Sequence, residues 1–453
     1  MADFNEKAIR THGGHTMHEL TKLIFDDMKP ALGVTEPGAI AFAVSTAREH
    51  VNGRITGVVL RLNSGMFKNA FTCGIPGINE VGNYHAAALG AVAANPAKGL
   101  ECLDGITEEE KTKAKEMVEA GIIKVEMTEV TSRIFIEVTV TAENAGGGNT
   151  TALTENTATV TIRDSHTNIV KITENGIVVF EKEQKAESEQ EEQHLIHKYT
   201  LEEMYTYAKT VPVEEIAFVK DAYMMNWELM QEGLRSEKTT YAPYLLAMNG
   251  GELVSRDEQK TASLFCNAAI EARVIGLSRP AMSITGSGAH GIIATMPLYA
   301  AYKVNGYTEE QLYRATALSY LICMYIKEYS GKLSAFCGCA IAAGTGMACG
   351  LVLLRGGSTA EMEKTINNMA CSITGMICDG GNQGCTMKGV VAVDAAYQSV
   401  NMAMKNVYIY NAHGINGATP EETLRNMGLI ASPGMVGTEK TIVDILNRKN
   451  EKQ

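Results

Sequence analysis

Residues 133–141 read RIFIEVTVT. Ile134, Ile136, Val138 and Val140 alternate with Phe135, Glu137, Thr139 and Thr141, so an extended chain turns the aliphatic set to one face and the mostly polar set to the other. The stretch is a half-buried β-strand, and ATVTIR (158–163) repeats it. In IVKITENGIVVF (169–180), Asn175-Gly176 stands between two β-branched runs. That pair predicts a type I′ hairpin, because both turn residues must accept positive φ. Upstream, Ile55–Leu62 and Met66–Cys73 are expected to form an earlier strand pair. TEEEKTKAKEMVEAG (107–121) predicts a helix instead, with Thr107 as N-cap, Glu110 closing a capping box and Gly121 as the stop.

The run EKEQKAESEQEEQ (181–193) has one alanine and otherwise only polar or charged residues, as a solvated linker does. Beyond it strand signals fade and helix starts recur: Thr200 with Glu203, Thr308 with Gln311, and Thr419 with Pro420 and Glu422. GCAIAAGTGMACGLVLL (338–354) combines apolar and very small residues, which suits a buried helix with closely approaching neighbours. Near the start, DDMKPALGVTEPGAIAFAVSTA (26–47) turns helical after Pro37. The expected architecture is α+β, with a mixed, largely antiparallel β-domain inserted before a large all-α catalytic domain. Residues 1–52 form a helical segment packing on the C-terminal domain, 53–195 the α+β domain with its charged linker, and 196–453 the helical domain. The site is expected between the β-domain and the helical domain.

With 45% hydrophobic and 20% charged residues in 453, the composition is that of an ordinary globular protein. A formal net charge of −12 repels polyanions and argues against nucleic acid or an anionic membrane as partner. MADFNEKAIRTHGGHTMHEL shows no secretory signal, and no apolar run approaches the ~18 residues a membrane span needs. A cytoplasmic location is expected, where thiols stay reduced and clustered cysteines point to metal or catalysis. A small molecule is the expected partner, and a homo-oligomer is left open.

Seven of the ten cysteines lie beyond residue 320, which directs attention to ICDGGNQGC (377–385). Cys378 and Cys385 are 7 positions apart and Cys339 stands 39 before Cys378, with Cys337 beside it. Three thiolates can hold a [4Fe–4S] cluster with one open iron, and four can close a zinc site; two buried thiols on a glycine turn is the plain alternative. In TGSGAHGI (285–292), Ser287, Gly288 and His290 can present a hydroxyl, amide N–H groups and an imidazole to a carboxylate. A structural histidine is the alternative. Thr35 and Glu36 open a helix, either as cap residues or as functional groups. Asn63, Lys68 and Asn69 sit where a hairpin is expected; they can grip a carboxylate or make a polar turn.

Taken together, ALGVTEPGAIAFA, KNAFTCGIPG, TGSGAHGI, FCGCAIAAGTGMACG and CDGGNQGC followed by TMKG resemble, in order and spacing, the L-cysteine desulfidase family, a branch of the iron–sulfur serine dehydratase-like α-domain proteins. The resemblance spans nearly the whole chain. It implies a [4Fe–4S] cluster on Cys339, Cys378 and Cys385, with Cys337 a bystander, and a lyase converting L-cysteine to pyruvate, ammonia and sulfide. Within that lyase reading, Glu36, Thr35, Ser287 and His290 are the expected catalytic groups and Asn63, Lys68, Asn69 and Gly288 the expected substrate contacts. Where the family pattern reads Gly-Cys-Thr-Glu-Pro, this chain has Gly33-Val34-Thr35-Glu36-Pro37. Valine can neither ligate iron nor move a proton, which raises the share of an L-serine or L-threonine dehydratase. A non-catalytic zinc or iron–sulfur redox sensor is the reading from a different class.

Overall fold

The computed structural model describes residues 17–144, 154–182 and 194–450. Its first part holds α1 (Glu19–Asp27), β1 (Lys29–Leu32), α2 (Thr35–Glu49), β2 (Arg54–Leu62), α3 (Ser64–Ala70), α4 (Gly82–Val92) and α5 (Glu108–Glu119), then strands β3 (Ile123–Met127), β4 (Phe135–Asn144), β5 (Thr154–Arg163), β6 (Ile169–Glu174) and β7 (Ile177–Glu181). Six strands form one sheet in the order β3-β2-β4-β5-β6-β7, in which β2 and β3 run parallel and every other pair antiparallel. The alternation read in RIFIEVTVT is realised: Ile136, Val138, Val140 and Ala142 of β4 are buried and their neighbours half-buried. Helix α2 covers that face, packing on β4, β5 and α4.

Local signals set most of these boundaries. Thr107 and Glu110 make the reciprocal capping box of α5, and Gly121 follows with φ +69. Asn175 and Gly176 turn the β6–β7 hairpin with φ of 49 and 81. Thr200, Thr308 and Thr419 cap helices as their spacing predicts. Of the charged run, Glu181 and Lys182 complete the hairpin, and 183–193 lie outside the described residues, as do 1–16 of the N-terminal stretch.

One expected strand is a helix. Of Met66–Cys73, Met66 to Ala70 belong to α3, which buries Met66, Phe67 and Ala70 at helical spacing. A short segment of mixed apolar and polar residues fits either period, and anchoring decides it: the Asn63 amide donates to Thr131 O (2.9 Å) and accepts from Phe135 N (3.1 Å), so β2 ends there.

The second part is helical: α6 (Leu201–Thr210), the single-turn α7 (Val213–Ile216), α8 (Lys220–Arg235), α9 (Tyr241–Met248), α10 (Glu258–Val274) and α11 (Gly288–Asn305). It continues with α12 (Glu309–Ser330), α13 (Gly344–Leu354), α14 (Thr359–Ile373), α15 (Gly384–Ala403), α16 (Pro420–Leu429) and α17 (Val436–Asn450). Its one described strand, β8 (Pro280–Ser283), pairs with β1 and ties the N-terminal segment to the helical half. α1 leans on α12 as well. The small residues of 338–354 do permit close approach: a Cβ on Gly346 would sit 2.2 Å from Ser319 O of α12. The protein is thus α+β, and no helix among the described residues is long and apolar enough to cross a membrane.

Candidate functional site

A cavity of about 190 Å³ lies between the sheet and the helical half. The β5–β6 turn contributes Ser165 and His166, α2 contributes Glu36, α3 Asn69, the β8–α11 loop Thr285 to Ser287, α11 His290 and α12 Lys327. Gly338, Cys339 and Cys378 close it from below. A larger, open groove lined by Tyr199, Glu202 and Tyr207 holds none of the candidate groups.

Glu36 is buried in the first turn of α2, where uncapped N–H groups favour a carboxylate. It accepts a bond from Asn69 Nδ2 (2.9 Å) and lies 3.9 Å from His166 Nε2. Thr35 Oγ1 donates to Gly286 O (3.3 Å) and so fastens α2 to the glycine loop. His166 Nε2 is buried and has no hydrogen-bond partner among the described residues. Burial holds this imidazole below its ordinary value, against the pull of Glu36. His290 Nδ1 is 2.5 Å from Thr285 Oγ1, which itself donates to Ile284 O (2.8 Å). The hydroxyl proton being committed, Nδ1–H donates to Thr285 and Nε2 carries the lone pair. Burial, followed by the charges of Lys327 and Arg273, pushes His290 well below its ordinary value. Both imidazoles are therefore neutral.

The thiols come from two zipped segments. Cys337 N donates to Met376 O (3.0 Å) and Cys378 N to Ala335 O (2.6 Å), which brings Cys339, at the foot of α13, beside the loop that carries Cys378 into α15. Cys339, Cys378 and Cys385 are partly exposed free thiols, whereas Cys337 is buried. A hydrogen bond from Cys339 lowers Cys337 to about 7 and raises Cys339. Burial raises Cys378, and lifts Cys385 to about 12. Buried thiols of this kind ionise when a metal charge replaces the proton.

The loop glycines have a local cause. Gly380 has φ +109 and a Cβ there would meet Lys68 O at 2.4 Å; one on Gly381 would meet Asn69 O and Val34 Cγ1, both at 2.9 Å. The loop therefore lies flat on the end of α3, with Val34 filling the space beside it. Gly338 does the same on the other side, since its Cβ would fall 2.8 Å from His290 Nε2 and 3.1 Å from Lys327 Nζ. This cradle, and three reduced thiols of which two open on the cavity, fit a cluster held by Cys339, Cys378 and Cys385. Among the described residues no group of three or more His, Cys, Asp or Glu is arranged for a single metal ion. A closed zinc site needs four ligands converging within about 2.3 Å of one centre, whereas a cluster spreads its thiolates over several irons.

Thr35, Glu36, Asn69, Ser287, Gly288 and His290 thus gather at or beside the cavity. Asn63 and Lys68 do not. Asn63 is fully buried on the end of β2 and does not line the cavity, and the Lys68 ammonium donates to Ser334 O (3.0 Å), Cys378 O (2.9 Å) and Glu439 Oε2 (2.8 Å), so it has no donor left for a carboxylate. They hold the scaffold because α3 is a helix and turns Lys68 inward. His166 and Lys327 escaped the reading of the sequence: the first lies in the polar turn DSHTN (164–168), the second inside a capped helix, and neither stands in a glycine-rich loop.

A family model described as serine dehydratase alpha chain matches residues 97–444. A UPF0597 protein of Clostridium botulinum (strain Langeland / NCTC 10281 / Type F) is 41% identical over 439 residues, covering 94% of this chain and 98% of the relative. UPF0597 proteins of Caldanaerobacter subterraneus subsp. tengcongensis and Clostridioides difficile (strain 630) are 35% and 31% identical, covering 95% and 94% of this chain and 98% of each relative.

Proposed function

Because the chain belongs to the serine dehydratase alpha chain family, we propose that it is a [4Fe–4S]-dependent lyase that deaminates a small amino acid by β-elimination, with L-cysteine giving pyruvate, ammonia and sulfide. One observation carries the reading: Cys339 and Cys378 open on the same buried cavity as Glu36 and two neutral imidazoles. Cys339, Cys378 and Cys385 would hold the cluster, which when bound supplies a Lewis acid for the leaving group. The unpartnered Nε2 of His166 takes the Cα proton, and Glu36, 3.9 Å away, stabilises the imidazolium that forms. The electron pair of the broken Cα–H bond makes the Cα=Cβ bond, the Cβ–S bond breaks, and sulfur leaves with its pair as sulfide. Aminoacrylate tautomerises, and water hydrolyses the imine to pyruvate and ammonia. No net oxidation occurs.

The motifs shared with the desulfidase family support L-cysteine. The match to the serine dehydratase alpha chain favours a second reading, loss of water from L-serine or L-threonine by the same steps. Anaerobic purification with visible absorption, metal analysis and a product assay tests both. A brown protein releasing pyruvate and sulfide from L-cysteine is expected; pyruvate from L-serine alone would transfer the reading to the dehydratase. A colourless protein with one zinc per chain, inert toward both, would sink it in favour of a structural or sensing role.

A further inference from the structure

Helix α10 is buried from Thr261 to Val274, and its last turn carries Arg273, which is 4% exposed. A guanidinium keeps its proton in any protein environment, so burial costs it solvation that a counter-ion must offset. Among the described residues Arg273 has no ion pair, and its Nε has no hydrogen-bond partner. The carboxylate two positions earlier, Glu271, is committed elsewhere: it accepts from the N–H groups of Thr240, Tyr241 and Ala242 at the start of α9. Glu36 is held by Asn69.

Arg273 lies against the start of α11. A Cβ on Gly288 would fall 2.7 Å from Arg273 Nε and 3.2 Å from its Cδ. That first turn is itself unsatisfied: the N–H groups of Gly288, Ala289 and His290 have no acceptor within the helix, and Ser287 at the N-cap makes no side-chain cap bond. With 18 residues behind it, the helix end adds its own positive potential. Ser287 and His290 line the cavity, and Arg273 stands immediately behind them against Gly288, close enough for its charge to act on His166 and His290, so a buried cation without an anion backs an uncapped helix N-terminus.

We propose that Arg273 and the first turn of α11 form the carboxylate subsite of the cavity, taking the α-carboxylate of the amino acid; only the identity of the rest of the ligand rests on the lyase reading. Gly288 is required there because a side chain would displace the guanidinium. Arg273 is a binding residue, and the subsite supplies the carboxylate contact that Asn63 and Lys68 do not.

Binding without turnover tests this. Thermal shift and calorimetry on the anaerobically purified protein would compare L-alanine, which has no leaving group, propionate, which lacks the amine, and ethanolamine, which lacks the carboxylate. L-Alanine and propionate are expected to bind and raise the melting temperature, and ethanolamine to do neither. Arg273→Gln should weaken both carboxylates at least about 30-fold, since truncating one partner of a buried charge pair costs that much or more. It should leave the visible cluster spectrum intact and raise the melting temperature of the ligand-free protein, because an unpaired buried charge is gone. Ethanolamine binding as well as L-alanine, or wild-type propionate affinity in Arg273→Gln, would overturn the subsite. The wild-type comparison decides even if the variant does not fold. Propionate binding that depends on Arg273 in a protein turning over no amino acid would sustain the subsite and reject the lyase; turnover with propionate binding unchanged in Arg273→Gln would do the reverse.

Discussion

Replacing Lys68 by methionine separates scaffold from substrate contact. The ammonium and Glu439 are 0% and 5% exposed as side chains, 2.8 Å apart, and the same nitrogen also donates to Ser334 O and Cys378 O. Lys68→Met keeps the aliphatic stem but leaves the Glu439 carboxylate buried without its cation, where Oε1 already has no partner. Removing one partner of a buried pair costs about 3–5 kcal/mol, and two carbonyls lose their donor besides. Removing both charges is far cheaper, because no desolvated ion remains. In urea unfolding, Lys68→Met should therefore be destabilised by about 3–5 kcal/mol, while Lys68→Met with Glu439→Leu regains most of the loss. The native fraction should keep its KM for the amino acid, since Lys68 does not reach the cavity. A single variant as stable as Lys111→Met, a surface ion-pair control, combined with a raised KM, would refute this account and restore Lys68 as a carboxylate contact.

His166→Gln should lower kcat by about 100-fold or more, the usual contribution of a positioned base, and remove the acidic limb of the pH–rate profile. Burial depresses the folded-state value of His166, so at low pH the unfolded chain binds the extra proton first; its contribution to stability is complete above the ordinary value of 6.5 and falls as pH drops below it. In His166→Gln that acid-side loss of stability should shrink, as read by melts at pH 5 to 8. Gly381→Ala pushes a Cβ to 2.9 Å from Asn69 O, and about 1–3 kcal/mol of overpacking should lift the loop, with less visible absorbance per chain. Cys385→Ser should abolish cluster absorbance and activity together, whereas Cys337→Ser should keep both; the opposite pattern would exchange their roles.

The reach of sequence reading here follows from range. The β6–β7 turn, the α5 capping box and the alternation of β4 are decided within a few residues, so Asn175-Gly176, Thr107 with Glu110, and Ile136 to Val140 disclosed them. Met66–Cys73 reads as a strand yet begins as a helix because its period is ambiguous and its neighbours are remote in sequence: Thr131 and Phe135 end β2 at Asn63. β1 and β8 are four residues each and 248 positions apart, from Leu32 to Pro280, too short and too distant for any window to register.

The site divides along the same line. Residue type and spacing marked out Cys337, Cys339, Cys378 and Cys385, the loop of Ser287 and His290, and the helix start at Glu36 as candidates, because glycine-rich loops and close-set thiols carry their chemistry in local order; setting Cys337 aside rests on the family resemblance. That Glu36 meets Asn69 and His166, that Lys68 is spent on Glu439, and that Arg273 stands unpaired beside Gly288 are decided by contacts across 15 to 371 residues. Desolvation belongs to that second class. A lysine or arginine in the sequence is simply a charge, and only the packed interior determines whether a partner satisfies it or it is left to bind an anion.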